Sequence, residues 1–145
     1  MIRRHATGFR ALLMVFDGGL AAVILVVASY WRFGEADWAD IWRDVIPIPE
    51  LFLAAYAVAW VIALTVNGLY RPRARWSILR EAVDVVRATV TMAVLTFSVL
   101  FLAKLPDVSR LFLLILFPAQ ALATTVTRAL LRAAFEHVRG LGYNV

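Results

Sequence analysis

The sequence predicts an all-α integral membrane protein: a four-helix bundle, N-in/C-in, with an amphipathic interfacial helix before the third span. Three observations predict it. Hydrophobic residues fill 63% of the 145 positions and charged residues only 17%, whereas soluble domains sit near half apolar and a quarter charged. The apolar residues gather into four runs, each near the roughly 20 residues a helix needs to cross a hydrocarbon core about 30 Å thick. Arginine concentrates at the N-terminus, in the second connection and near the C-terminus, the pattern of segments kept in the cytoplasm.

The chain reads as one transmembrane domain, 1–145, with spans at about 9–31, 51–70, 86–105 and 110–132. In lipid each backbone amide must find its partner within its own segment, so these runs are helices. The alternation of a membrane barrel is absent from them. Arg3, Arg4 and His5 precede the first run as in a signal peptide. That run is too long for a signal core, contains Asp17, and ends in Trp31-Arg32-Phe33 without a small-residue cleavage pattern, so it reads as a retained span.

The first connection, 32–50, holds Arg32 and Arg43 against Glu35, Asp37, Asp40, Asp44 and Glu50, a net charge of −3. Trp31, Trp38 and Trp42 suit the headgroup region, where an apolar ring with one N–H donor is stable. The four-residue spacing of Trp38 and Trp42 predicts a short interfacial helix over 36–45. The second connection, 71–87, carries five arginines against Glu81 and Asp84, a net charge of +3. From Trp76 its polar positions, Ser77, Arg80, Glu81, Asp84 and Arg87, fall at helical spacing against a wide apolar face. That predicts a basic interfacial helix over 76–87, with Ser77 as N-cap and Asp84 paired to Arg80 or Arg87. Pro72 prevents a smooth continuation of the second span.

The fourth helix is long. Continued from 111 to 138 it would measure roughly 42 Å, more than the hydrocarbon core requires. Arg128, Arg132, Glu136 and Arg139 recur on one face, Pro118 interrupts the ladder, and Gly140 and Gly142 end it.

Asp17 is the only carboxylate deep in a predicted span. Intramembrane charge is costly and marks either a function or a partner. One reading is contact with a cation, a proton or a phosphate-bound metal. The other is a structural pair with Arg128 at similar depth on the fourth span. Ala55, Ala59 and Ala63, and Ala121, Thr125, Ala129 and Ala133, recur every four residues and would allow close helix packing, within the bundle or across a homodimer seam. Thr89, Thr91, Thr96, Ser98, Gln120, Thr124 and Thr127 read as polar contacts between helices. With no cysteine, thiolate metal sites and cysteine nucleophiles are excluded, and His5 and His137 form no recognisable constellation. Phosphate loops and nucleophile elbows are missing too, so the chain carries no complete active site, metal site or cofactor of its own. The net charge of +5 fits anionic headgroups rather than nucleic acid.

The string Asn67-Gly68-Leu69-Tyr70-Arg71-Pro72-Arg73, followed by an amphipathic turn and a third span, resembles the N-terminal membrane domain of the large bacterial polyprenyl-phosphate glycosyl-1-phosphate transferases. These enzymes initiate exopolysaccharide or O-antigen synthesis. Asp17, the Tyr30-Trp31-Arg32-Phe33 exit, Ser109-Arg110, Arg128 and the closing Gly142-Tyr143-Asn144 add to the likeness. The resemblance implies a multi-pass protein of the bacterial inner membrane. It also implies a cytoplasmic catalytic domain, with its acidic pair and magnesium site, lying outside these 145 residues. Membrane lipids and polyprenyl phosphate would be its partners, with Arg71, Arg73, Arg75 and Arg80 touching headgroups or the lipid phosphate. Nucleotide-sugar dehydratases of the same pathways have a similar membrane domain; Ser109-Arg110 without a preceding Pro-Arg pair points to the transferases. Competing readings are a small four-helix transporter or lipid-linked-sugar flippase, with Asp17 as coupling carboxylate, and a free-standing subunit that recruits a catalytic chain.

Overall fold

The computed structural model describes residues 2–34, 38–70, 78–104 and 108–140. Among them all regular structure is helical: α1 (Ile2–Phe33), α2 (Trp38–Arg43), α3 (Pro49–Val66), α4 (Ile78–Leu102) and α5 (Arg110–Gly140). Four stretches are long and apolar enough to cross a membrane: Arg10–Phe33, Pro49–Val66, Ile78–Leu102 and Arg110–Ala134. No more than 33% of the most apolar window of any of them is buried inside the protein, so most of that apolar surface faces outward. Val15, Trp31, Val58, Leu79, Phe101 and Leu114 are exposed examples. In water such a surface would associate; in a bilayer it is the surface lipid requires.

The long helices form a square. α1 packs against α3 and α5, and α4 packs against the same two. Among the described residues, no Cα of α1 comes within 8 Å of one in α4, nor does one of α3 of one in α5, so these pairs are diagonal. The core between them holds Ala21 and Leu25 of α1, Trp60 and Leu64 of α3, Val85 and Ala88 of α4, and Phe112 and Leu116 of α5. Gly18 gives α1 its close approach to α3. A Cβ at that position would stand 3.3 Å from Val61 Cγ2, tighter than an ordinary van der Waals contact. The alanine stripe of α3 plays this part only in its second half: Ala63 is buried, Ala59 half-buried, and Ala55 faces outward.

Helix boundaries follow backbone chemistry. α1 begins at Ile2, earlier than the apolar run suggests, and stops where Gly34 adopts φ +95° with its N–H on Tyr30 O (2.9 Å). α3 starts with Pro49 at its first turn, where a missing N–H costs nothing. It ends at Val66 rather than at Tyr70. Gly68 stands at φ +84°, its N–H reaching Thr65 O and the Leu69 N–H reaching Leu64 O, both at 3.0 Å. This 5→2 and 6→1 pair is a Schellman cap, which needs a residue free to turn left-handed. The residues 78–87, expected to lie in a separate interfacial helix, run without a break into α4. Trp76 and Ser77, the expected start and N-cap of that helix, lie outside the described residues, as do Pro72, Glu35, Asp37 and 141–145.

α2 realises the short helix expected over 36–45, but not as a surface anchor. Trp42 is buried. Its ring lies 5.4 Å from Phe112 and from Phe52, and 6.5 Å from Phe33, and its Nε1 donates to Ser29 Oγ at 3.0 Å. The headgroup reading of Trp42 is therefore corrected. A neighbouring hydroxyl satisfies its N–H, which leaves the ring free to cap the bundle.

Candidate functional site

At the opposite end, where α1 begins and α5 ends, the Schellman cap turns the chain back beneath α3. Leu69 and Tyr70 are thereby buried. Asn67 steadies the turn: its Nδ2 donates to Ala63 O at 2.8 Å and reaches Thr91 Oγ1 of α4 at 3.4 Å. The Tyr70 hydroxyl donates to Asp17 Oδ2 on α1. Arg128 Nη2 of α5 donates to the same oxygen, and its guanidinium carbon lies 5.1 Å from the Tyr70 ring centroid. Three elements distant in sequence thus converge on one carboxylate oxygen. Only 2% of the Asp17 side chain and 10% of the Arg128 side chain is exposed.

The arrangement is a clamp. A buried ion pair is stabilised when its remaining lone pairs and protons are also satisfied, and the Tyr70 hydroxyl adds one such bond. Arg128 Nε finds no hydrogen-bond partner among the described residues; the Tyr70 ring covers the guanidinium through its π face. Asp17 is occupied by two donors, which favours its structural role over that of a free coupling carboxylate. Among the described residues no group of His, Cys, Asp and Glu could hold a metal ion.

Of the arginines expected at headgroups, Arg71, Arg73 and Arg75 lie outside the described residues, and Arg80 is exposed on the first turn of α4. Asp84, expected to pair with Arg80 or Arg87, is buried, while both arginines are exposed. Of the hydroxyls expected to make contacts between helices, Thr91 does so, accepting from Asn67, but several also turn to their own backbone. Thr89, Thr91, Ser98 and Thr125 donate to the carbonyls of Val85, Arg87, Val94 and Ala121 in their own helices, at 2.7–2.8 Å. With no water in lipid, the i−4 carbonyl is the nearest acceptor a helical hydroxyl has.

Three residues that carry the resemblance have structural tasks the sequence does not assign. Tyr70 had no visible link to Asp17, since nothing local pairs positions 53 apart. Gly68 left a signal in the Asn-Gly step after an apolar run, a recognised helix stop. Ser109 left one too: its Oγ accepts the Phe112 N–H at 3.4 Å, in the N-cap position of α5. No protein-family model, curated protein or solved structure compared with this chain matches it.

Proposed function

We propose that this chain is the membrane-anchoring domain of a sugar transferase that moves a sugar-1-phosphate from a nucleotide sugar onto polyprenyl phosphate in bacterial glycoconjugate synthesis. One observation carries the reading. Three of the features that bear the resemblance to those enzymes, Asp17, the turn from Asn67 to Tyr70, and Arg128, meet in a single clamp although Asp17 and Arg128 stand 111 positions apart. The clamp gives each of them a physical task. Gly68 supplies the left-handed turn, Tyr70 a hydroxyl, and Asp17 and Arg128 the charges that hold α1 to α5. It also sets where the basic connection after Tyr70 leaves the bundle.

In this reading the clamp end faces the cytoplasm of a bacterial inner membrane, both termini inside. Arginine excess at that end follows the positive-inside pattern. The first turns of α4, with Arg80 and Arg87 exposed, lie in the inner headgroup region as its amphipathic start. Arg71, Arg73, Arg75 and Arg80 attract anionic headgroups and the phosphate of the polyprenyl acceptor. α5 continues past the last residue of its candidate span, Ala134, to Gly140, and serves as a stem toward a cytoplasmic catalytic domain, where magnesium chemistry resides.

The test is photo-crosslinking in inner-membrane vesicles with a polyprenyl phosphate bearing a photoactivatable group. Crosslinks to 71–80 are expected, competed by unlabelled polyprenyl phosphate but not by neutral polyprenol, and lost when the four arginines become glutamine. Equal competition by both lipids would overturn the phosphate contact. Because the chain has no cysteine, Ser77→Cys and Ala36→Cys report topology directly. Labelling of Ser77→Cys from the periplasmic side would overturn the orientation. Movement of a lipid-linked sugar across reconstituted vesicles would favour the flippase reading instead.

A further inference from the structure

The bundle interior contains polar groups that neither end of the molecule uses. The Tyr56 hydroxyl, the Trp60 indole N–H, both amide atoms of Gln120 and the Thr124 hydroxyl are buried without a hydrogen-bond partner among the described residues. Trp60, Gln120 and Thr124 are wholly shielded, and Tyr56 nearly so. Buried polar atoms of folded proteins are almost always paired, with protein or with ordered water. Four such side chains in one bundle therefore call for a ligand.

Their placement is ordered. Phe52 of α3 and Phe112 of α5 both pack on Trp42, with ring centroids 5.4 Å away, which sets a common level for the two helices. Both helices run from that level toward the clamp. Trp60 and Gln120 each lie about two turns, roughly 12 Å, further along. Tyr56 comes about one turn from the aromatic level and Thr124 about three. Arg128 follows at roughly 24 Å, the same distance that separates Phe33 from Asp17 along α1. The orphan groups thus form a ladder between the Trp42 cap and the Asp17 clamp. It is carried by two helices that stand diagonally opposite, their Cα atoms nowhere within 8 Å of each other among the described residues.

The chemistry of the ladder selects its occupant. It offers an indole N–H, an amide NH2 and two hydroxyls as donors, and the amide and hydroxyl oxygens as acceptors. None carries a formal charge, so a bare ion would find no counter-charge. A molecule that both accepts and donates, and is small enough for a packed core, is water, and a buried water usually makes about three hydrogen bonds of this kind. We infer that the bundle interior is a binding site for a short file of ordered water molecules held by Tyr56, Trp60, Gln120 and Thr124. These waters bridge α3 to α5. Closed by aromatic rings at one end and by the ion pair at the other, the file is internal and slow to exchange.

Water-edited solid-state NMR of the protein in liposomes tests this. The Trp60 indole N–H, assigned by its disappearance in Trp60→Phe, and the Gln120 side-chain amide should receive magnetisation from water. The methyl groups of Leu25 and Leu64, in the dry core, should not. Gln120→Leu should reduce the transfer to Trp60 at least severalfold. Thr124→Val, a milder change at the next level, should reduce the transfer to Gln120. If the wild-type Trp60 and Gln120 groups prove as dry as Leu64, or if their couplings show them bonded directly to one another, the water site is overturned. That outcome is read on the wild-type protein, so it stands even if a variant fails to fold.

Discussion

The two ends of the bundle are closed by different physics. At the α2 end, the Trp42 ring packs edge-on or tilted against Phe33, Phe52 and Phe112, and its indole N–H donates to Ser29. At the other end a carboxylate, a guanidinium and a phenol share one oxygen atom. Aromatic packing is graded: each ring contributes area, and a smaller ring loses part of it. A buried charge pair is closer to all-or-none, because removing one partner strands the other. The first kind of closure tolerates drift; the second fixes which helices meet and at what register.

The largest effect should come from halving the pair. Arg128→Met is expected to lower stability in detergent by about 3–5 kcal/mol, since Asp17 is left buried with no countercharge. Asp17→Leu combined with Arg128→Met should recover at least half of that loss in thermal or denaturant unfolding. If the double variant is as unstable as the sum of the singles, the two residues do not act as a pair. Next, Trp42→Ala should cost roughly 3 kcal/mol through the cavity it leaves. Trp42→Phe, which keeps a ring and loses the bond to Ser29, should cost roughly 1 kcal/mol. Equal effects of the two would contradict a graded closure.

Gly68→Ala should destabilise by about 1–2 kcal/mol because a Cβ resists left-handed φ, with Gly68→Asn milder. A fluorine label on Tyr70 should report the displaced turn in both, and an unmoved signal would show that Tyr70 does not depend on the cap. The smallest effect is expected at Ser109→Ala, about 0.5 kcal/mol, in keeping with a bond of 3.4 Å. A loss several times larger would mean that Ser109 holds more than the start of α5.

Some of this was open to inspection in the sequence. Four spans, the short helix around Trp42 and the depth of Asp17 and Arg128 all follow from hydropathy and from the fixed rise of a helix. α3 ends before the apolar run does, because Leu69 and Tyr70 continue the run although the backbone has already turned at Gly68. Composition is blind to that turn; φ is not. Spacing cannot say whether a hydroxyl looks across to a neighbour or back to its own carbonyl: Thr89 and Ser98 turn back, and Thr91 does both.

The sequence by itself determined how many times the chain can cross a bilayer and where its charge lies, since both depend only on local composition and length. The tertiary structure alone decided that Trp42 turns inward, that Tyr70 joins Asp17 and Arg128, and that Tyr56, Trp60, Gln120 and Thr124 share the interior. Those outcomes depend on the rotation and level of each helix against its neighbours. Packing settles them, because a rotation of one helical position would carry a buried polar group into lipid, where no partner waits for it.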